Sequence, residues 1–185
     1  QLFISYMKSG ERLNILFGGK AGQGPNILTK ILAKTLSELG YYVFYSRDYQ
    51  SLIRGGHNFN VITISNKPVQ SNDSKIDLIV ALDENTIKLH KKNLKKTGTL
   101  IADKGSNMYF AGRVFKVLGI DFKLLNSRLK KLSRYDENIK QAKQGYEDAK
   151  AEIKLPTNPK IKQVNFQDSS QAVARGAIKS GLKLY

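Results

Sequence analysis

The chain has 185 residues, 41% of them hydrophobic, no cysteine, and a formal charge of +16 from 31 Lys and Arg against 15 Asp and Glu. That length suits one globular domain, or one domain with a helical appendage. The missing thiols exclude disulfides and thiolate-held zinc or iron–sulfur clusters within this stretch.

No apolar run is long enough for a transmembrane helix. Residues 1–6 lack the basic region, long apolar core and small-residue site of a secretory signal. Met7 is a candidate biological start, which would make those six residues leader or appended sequence. A reducing cytoplasm is the expected location, in keeping with the absent cysteines.

In chain order, Leu13 to Phe17 reads as a short buried strand, and Gly18 to Gly24 as a glycine-rich loop. Pro25 suits a first helical position. Ile27, Leu28, Ile31, Leu32, Leu36 and Leu39 recur at helical spacing, and Gly40 ends that helix. Tyr42 to Tyr45 reads as a second strand, so a right-handed parallel crossover is the default. Phe59 to Ser65 alternates as a strand does, and Asn66-Lys67-Pro68 marks a turn. Asp77 to Leu82 is a continuous apolar run, expected of a strand covered on both faces. Glu84 to Lys96 reads as a polar helix, and Thr99 to Ala102 as a further strand.

The remainder reads as helical: Tyr109 to Leu118, closed by Gly119; Phe122 to Leu132; and a helix capped by Asp136. Ile139, Ala142, Tyr146, Ala149 and Ile153 line one stripe of that last helix. Pro156 and Pro159 mark a linker, and a tail helix is expected around Ala172 to Lys179. The expected fold is therefore α/β: a Rossmann-like layered domain with a mainly parallel or mixed sheet and a helical C-terminal part. Residues 13–155 form the domain, and 156–185 the linker and the tail. The apolar faces of the late helices and of the tail are expected to meet neighbouring parts.

Two segments carry candidate chemistry. Gly18, Gly19, Gly22, Gln23 and Gly24 lie between a strand and a helix, where backbone N–H groups and the helix dipole can hold an anion. The segment fails the dinucleotide fingerprint, because Ile27 stands where glycine or alanine is required. It half-matches a phosphate loop, but Pro25 occupies the lysine position. A tight turn that only lets helix and strand pack closely is the competing reading. Arg54, Gly55, Gly56, His57 and Asn58 come after the second strand. Arg54 offers a fixed cation with forked donors for carboxylate or phosphate. Both segments are expected at one edge of the sheet, where open α/β folds bind ligands. A structural salt bridge for Arg54, with Asp48, and a structural role for His57 compete with the ligand reading.

The charge concentrates at Lys88, Lys91, Lys92, Lys95 and Lys96, and again at Lys123, Lys130 and Lys131. A solvated lysine-rich face is the simplest reading. A basic nucleic-acid-binding module is the alternative. No helix-turn-helix, RNA-recognition or zinc-finger pattern accompanies it.

In combination, GGKAGQG (18–24), YYVFYSRDYQSLIRGGHNFNVITIS (41–65), DLIVALDENTIKLH (77–90) and TLIAD (99–103) resemble the gamma domain of 2-oxoacid:ferredoxin oxidoreductases, in the form fused ahead of the alpha region. NMYFAGRVFKVLGID (107–121) and ENIKQAKQGYEDAK (137–150) resemble the end of that domain, and QAVARGAIKSGLKLY (171–185) the opening of the alpha region. On that resemblance, residues 156–185 are a linker and the start of a truncated alpha-type region. The stretch at 104–106 is shorter than is usual in that family. The chain also stops at Tyr185, where fused relatives continue into the thiamine-enzyme region, as a fragment would.

The resemblance implies a part of a complex that converts a pyruvate- or 2-oxoglutarate-type 2-oxoacid and coenzyme A to acyl-CoA and carbon dioxide, with reduction of ferredoxin. It implies alpha-type and beta-type partners, with thiamine diphosphate, magnesium and iron–sulfur clusters held outside this piece. It assigns this domain a scaffold role and a part in coenzyme A access, through the ten loop residues named above. No catalytic residue and no metal ligand are expected here.

Overall fold

The structure, a computed structural model, describes residues 12–49, 56–162 and 166–183. A five-stranded sheet is built from β1 (Leu13–Lys20), β2 (Tyr42–Tyr49), β3 (His57–Ser65), β4 (Ile76–Ala81) and β5 (Leu94–Ile101), in the order β2-β3-β1-β4-β5. β1 pairs in parallel with β4, and β4 with β5, while β3 runs antiparallel to both β1 and β2. The sheet is mixed. β2 does run in the same direction as β1, but β3 is inserted between them, so the expected parallel pair is not a neighbouring one.

Alternation along the strands sorts side chains between two faces. Leu13, Ile15 and Phe17 of β1, Ile62 and Ile64 of β3, and Leu78 and Val80 of β4 enter the main core. That core is covered by α1 (Pro25–Glu38), α3 (Asn107–Val117), α4 (Phe122–Leu129) and α5 (Tyr135–Glu147). The opposite face holds a smaller cluster of Leu16, Val61, Ile76, Ile79 and Ala81, against which Ile87 of α2 (Glu84–His90) packs. Each fully buried Ile or Leu contributes about 1.5–3 kcal/mol relative to exposure.

Helix starts reflect local chemistry. Asp83 accepts from Thr86 N at 2.8 Å to begin α2, Ser106 accepts from Tyr109 N at 3.2 Å to begin α3, and Asp121 accepts from Lys123 N at 2.8 Å to begin α4. α1 has no side-chain cap; Gly24, at φ 83°, and Pro25 set its start. α5 is entered through Arg134 at φ 57°, and Asp136, expected as its cap, lies inside the first turn.

α3 and α5 approach unusually closely because two glycines face the opposing backbone. A Cβ on Gly112 would overlap the Ala142 carbonyl, and one on Gly145 would overlap the Tyr109 carbonyl. The apolar faces of α4 and α5, expected to meet neighbouring parts, are therefore used inside the domain: Leu125, Leu129 and Ala142 are core residues, while Ala149 and Ile153 of the expected stripe lie beyond the end of α5 at Glu147. The tail helix α6 (Ser169–Lys179), by contrast, buries no residue.

Several boundaries differ from the sequence reading. β1 continues through Gly18, Gly19 and Lys20, and β3 begins two residues early, at His57. The helix expected over 84–96 ends at His90; a 3-10 turn (Lys91–Asn93) comes next and β5 starts at Leu94. Lys95 is drawn into strand geometry beside Asp77, with Nζ 2.7 Å from Oδ1.

Candidate functional site

The two glycine-bearing segments meet at the edge where β1 ends and β3 begins. Gly19 stands opposite Asn58 and Lys20 opposite His57 in the β1–β3 ladder. The Ala21 N–H donates to the Gly56 carbonyl at 2.8 Å, extending the ladder by one step. Gly18, Gly19, Gly22, Gln23, Gly24, Gly56, His57 and Asn58 are thus brought together; Arg54 and Gly55 lie outside the described residues. The candidate Arg54–Asp48 salt bridge lies outside them as well.

The loop itself is a tight turn. Gln23 N–H donates to the Lys20 carbonyl at 3.0 Å, and Gln23 Oε1 accepts from Lys20 N–H at 2.6 Å. Gly22 and Gly24 sit at φ 94° and 83°, where a side chain would be strained. The N–H groups of Lys20, Ala21 and Gln23, which a phosphate cradle would turn outward, are engaged within the protein. Gly18 and Gly24 also fit tightly: a Cβ on Gly18 would collide with Thr86, and one on Gly24 with Asn107. Asn107, the first residue of α3, thereby closes the loop from the side, and no local pattern in the sequence signals it.

His57 and Asn58 belong to a strand rather than a loop, so they point to opposite faces. Asn60, on the Asn58 side, donates to Asn26 Oδ1 at 2.9 Å and Thr29 Oγ1 at 3.1 Å, tying β3 to the first turn of α1. His57 turns the other way and meets His90 of α2, with Nε2 to Nε2 at 2.9 Å; each residue is only 8% exposed. Phe59 completes the cluster, its ring centroid 4.5 Å from that of His90. Burial, more than any neighbouring charge, lowers the pKa of both; for His90 it falls to about 4. His90 escapes a sequence reading because 33 positions separate it from His57.

A cleft of about 340 Å³ lies beside the loop, lined by Ile27, Ser106, Asn107, Leu132, Asn138 and Gln141 among others. It sits where the N-terminal ends of α1, α3 and α5 come together.

Among the described residues no group of three or more His, Cys, Asp or Glu side chains is placed to hold a metal ion. The whole sequence holds no cysteine. A thiolate-held iron–sulfur cluster does not fit these residues.

Residues 14–135 match the family described as pyruvate ferredoxin/flavodoxin oxidoreductase. The chain belongs to that family. The alpha subunit of a 2-oxoacid:ferredoxin oxidoreductase from a Sulfolobus species is 38% identical over 84 residues, 45% of this chain and 13% of the relative. That of Sulfurisphaera tokodaii is 37% identical over the same length. The matched stretch is thus a small part of those curated relatives.

Among solved structures, a 2-oxoglutarate:ferredoxin oxidoreductase from Magnetococcus marinus, with 2-oxoglutarate, coenzyme A and succinyl-CoA bound, superposes with a TM-score of 0.74 at 16% identity. The match covers 92% of this chain and 37% of that one. The gamma subunit of a keto/oxoacid ferredoxin oxidoreductase from Geobacter sulfurreducens gives 0.62 at 22% identity, covering 74% of this chain and 95% of that one. A pyruvate oxidoreductase subunit from Thermotoga maritima gives 0.59 at 19%, covering 74% and 96%. These likenesses establish the fold.

Proposed function

We propose that this chain is the gamma-type domain of a 2-oxoacid:ferredoxin oxidoreductase. The whole complex converts a 2-oxoacid and coenzyme A to acyl-CoA and carbon dioxide while reducing ferredoxin. The observation that carries this reading is the family match over residues 14–135, on a fold shared with two subunits of such enzymes, one of them a gamma subunit. In this reading residues 13–155 form the gamma domain, and 156–185 are the linker and the start of an alpha-type region. Thiamine diphosphate, magnesium and the iron–sulfur clusters belong to alpha-type and beta-type partners, which supply the carbanion and electron-transfer chemistry. The setting is cytoplasmic; no helix among the described residues is long and apolar enough to cross a membrane.

The domain's own contribution is scaffolding and coenzyme access. Because the loop N–H groups at Lys20, Ala21 and Gln23 are engaged internally, the coenzyme phosphates would meet cationic side chains, namely Lys20, exposed at this edge, and Arg54, which lies outside the described residues. At Gly22 nothing lies within 4 Å of where a Cβ would sit, which leaves the backbone open to that approach.

The experiment is Arg54→Ala and Lys20→Ala in the complex with its alpha-type and beta-type parts. Loss of one charge-assisted phosphate contact predicts a rise of about tenfold in KM for coenzyme A. KM for the 2-oxoacid should stay unchanged. Unaltered kinetics for both substrates would leave the loop a purely structural turn. The isolated chain should reduce no acceptor with any 2-oxoacid and coenzyme A; 2-oxoacid-dependent reduction by the lone chain would overturn the assignment.

A further inference from the structure

Helix α6 is built to be a helix, yet the described residues of the domain bury none of it. Asp168 accepts from Gln171 N–H at 2.8 Å, and the Gln171 side chain accepts from Asp168 N–H at 3.2 Å, a complete capping box. Ser169–Lys179 contains no buried residue. Val173, Ile178 and Leu182 are 72%, 64% and 60% exposed. Val173, Ala174, Ala177 and Ile178 form one apolar side, Leu182 follows just past the helix end, and Arg175 and Lys179 flank that side. An isolated helix of this length is marginal in water, so its apolar side requires a cover. Phe166, just ahead of the cap, packs against the main core and fixes where the helix leaves the domain.

The lengths of the similar structures indicate what covers it. The two short subunit chains are themselves matched over 96% and 95%, yet each accounts for only 74% of this chain. The long 2-oxoglutarate enzyme chain accounts for 92% of it, and most of that long chain lies beyond the match. The additional length here therefore goes with what lies beyond a gamma domain.

Resting on the proposed function, we infer that α6 docks its Val173–Ile178–Leu182 side into an apolar groove on the alpha-type region of the complex. Acidic side chains on the groove's rim face Arg175 and Lys179. The chain's charge of +16 favours such an acidic counter-surface over a second copy of itself.

The test is co-expression of the full chain, tagged, with the alpha-type and beta-type parts from the same source. Val173→Asp with Ile178→Asp should lower the recovered alpha-type part about tenfold or more, as removal of a central apolar anchor does. Circular dichroism and the thermal midpoint of the isolated chain should be unchanged, because neither side chain is buried in it. Arg175→Glu with Lys179→Glu should weaken recovery more at low salt than at high salt. If the wild type assembles and the Val173/Ile178 variant assembles equally well, the docking assignment falls while the gamma reading stands. If the wild type recovers no alpha-type part at all, both fall. Self-association of the wild type that the double variant abolishes would assign the helix to a second copy and overturn the partner proposed.

Discussion

His57 and His90 face each other Nε2 to Nε2 at 2.9 Å, sealed between the sheet and α2. At that distance one nitrogen donates and the other accepts, so the two neutral rings hold opposite tautomers. Protonating the accepting ring at Nε2 would set two N–H groups against each other. Burial lowers both pKa values below 6.5; the His57 charge pushes His90 further down, while Asp83 and Asp48 oppose the shift at His57.

This pair makes stability depend on pH. In the unfolded chain both rings take up protons near pH 6.5; in the folded domain burial disfavours the proton on both, and His90 resists it down to about pH 4. The unfolded state therefore binds more protons, and stability is lost as pH falls from about 6.5 toward 4. His90 alone accounts for up to about 3 kcal/mol of that loss. Chemical denaturation of the wild type between pH 7 and 4 should show the decline. His90→Phe, which keeps a ring against Phe59, should flatten it. An equally steep decline in the variant would refute this account.

Gly112→Ala and Gly145→Ala should each lower the thermal midpoint. Alanine in a helix interior is ordinarily favoured over glycine by about 1 kcal/mol. Here the added methyl meets backbone carbonyls of Ala142 or Tyr109, which cannot turn aside. Overpacking of this kind costs about 1–3 kcal/mol, so α3 and α5 must separate. Gly176→Ala, on the open surface of α6, serves as the control and should stabilise or be neutral. A gain in midpoint at position 112 or 145 would refute the close approach.

Gly24→Ala should disturb the loop more than Gly22→Ala. Both positions have positive φ, costing a non-glycine residue about 1–2 kcal/mol. Only at Gly24 does the new Cβ also collide with Asn107, whereas nothing lies near Gly22. Pairing Gly24→Ala with Asn107→Ala should recover part of the loss, as a double-mutant cycle of midpoints would show. Strict additivity would mean the two do not touch.

Asn14→Ala should loosen the segment 66–75 without opening the main core. Asn14 is fully buried, donates to Asp73 Oδ2 at 2.9 Å and accepts from Thr63 Oγ1 at 2.5 Å. Removing the amide takes a donor from the Asp73 carboxylate and an acceptor from the Asp73 N–H, while the Thr63 hydroxyl keeps Asn72 Oδ1 at 2.7 Å, a loss of about 1–3 kcal/mol. Hydrogen exchange should speed up over residues 66–75 while β1, β3 and α1 keep their protection. Uniform acceleration across the sheet would contradict this local role.

Much of the fold was legible in the sequence because its signals are local. Pro25 and Gly40 bound α1, with Gly40 at φ 91° as a terminating glycine should be. Alternation in Phe59–Ser65 and the apolar run Asp77–Leu82 marked β3 and β4, and Gly18–Gly24 marked the turn before α1. The sequence also determined, through its lack of cysteine, that this piece holds no thiolate-bound cluster. The tertiary structure alone decided the rest, because strand order and side-chain partnership depend on residues far apart in the chain. Nothing local announces that β3 inserts antiparallel between β1 and β2, that His57 is paired with His90, or that Gly112 and Gly145 let two helices touch. Nor does the sequence of α5 and α6 reveal which amphipathic face is covered. The stripe on α5 closes against α3, and that on α6 closes against nothing among the described residues; the difference lies in the surface opposite each helix, not in the helix.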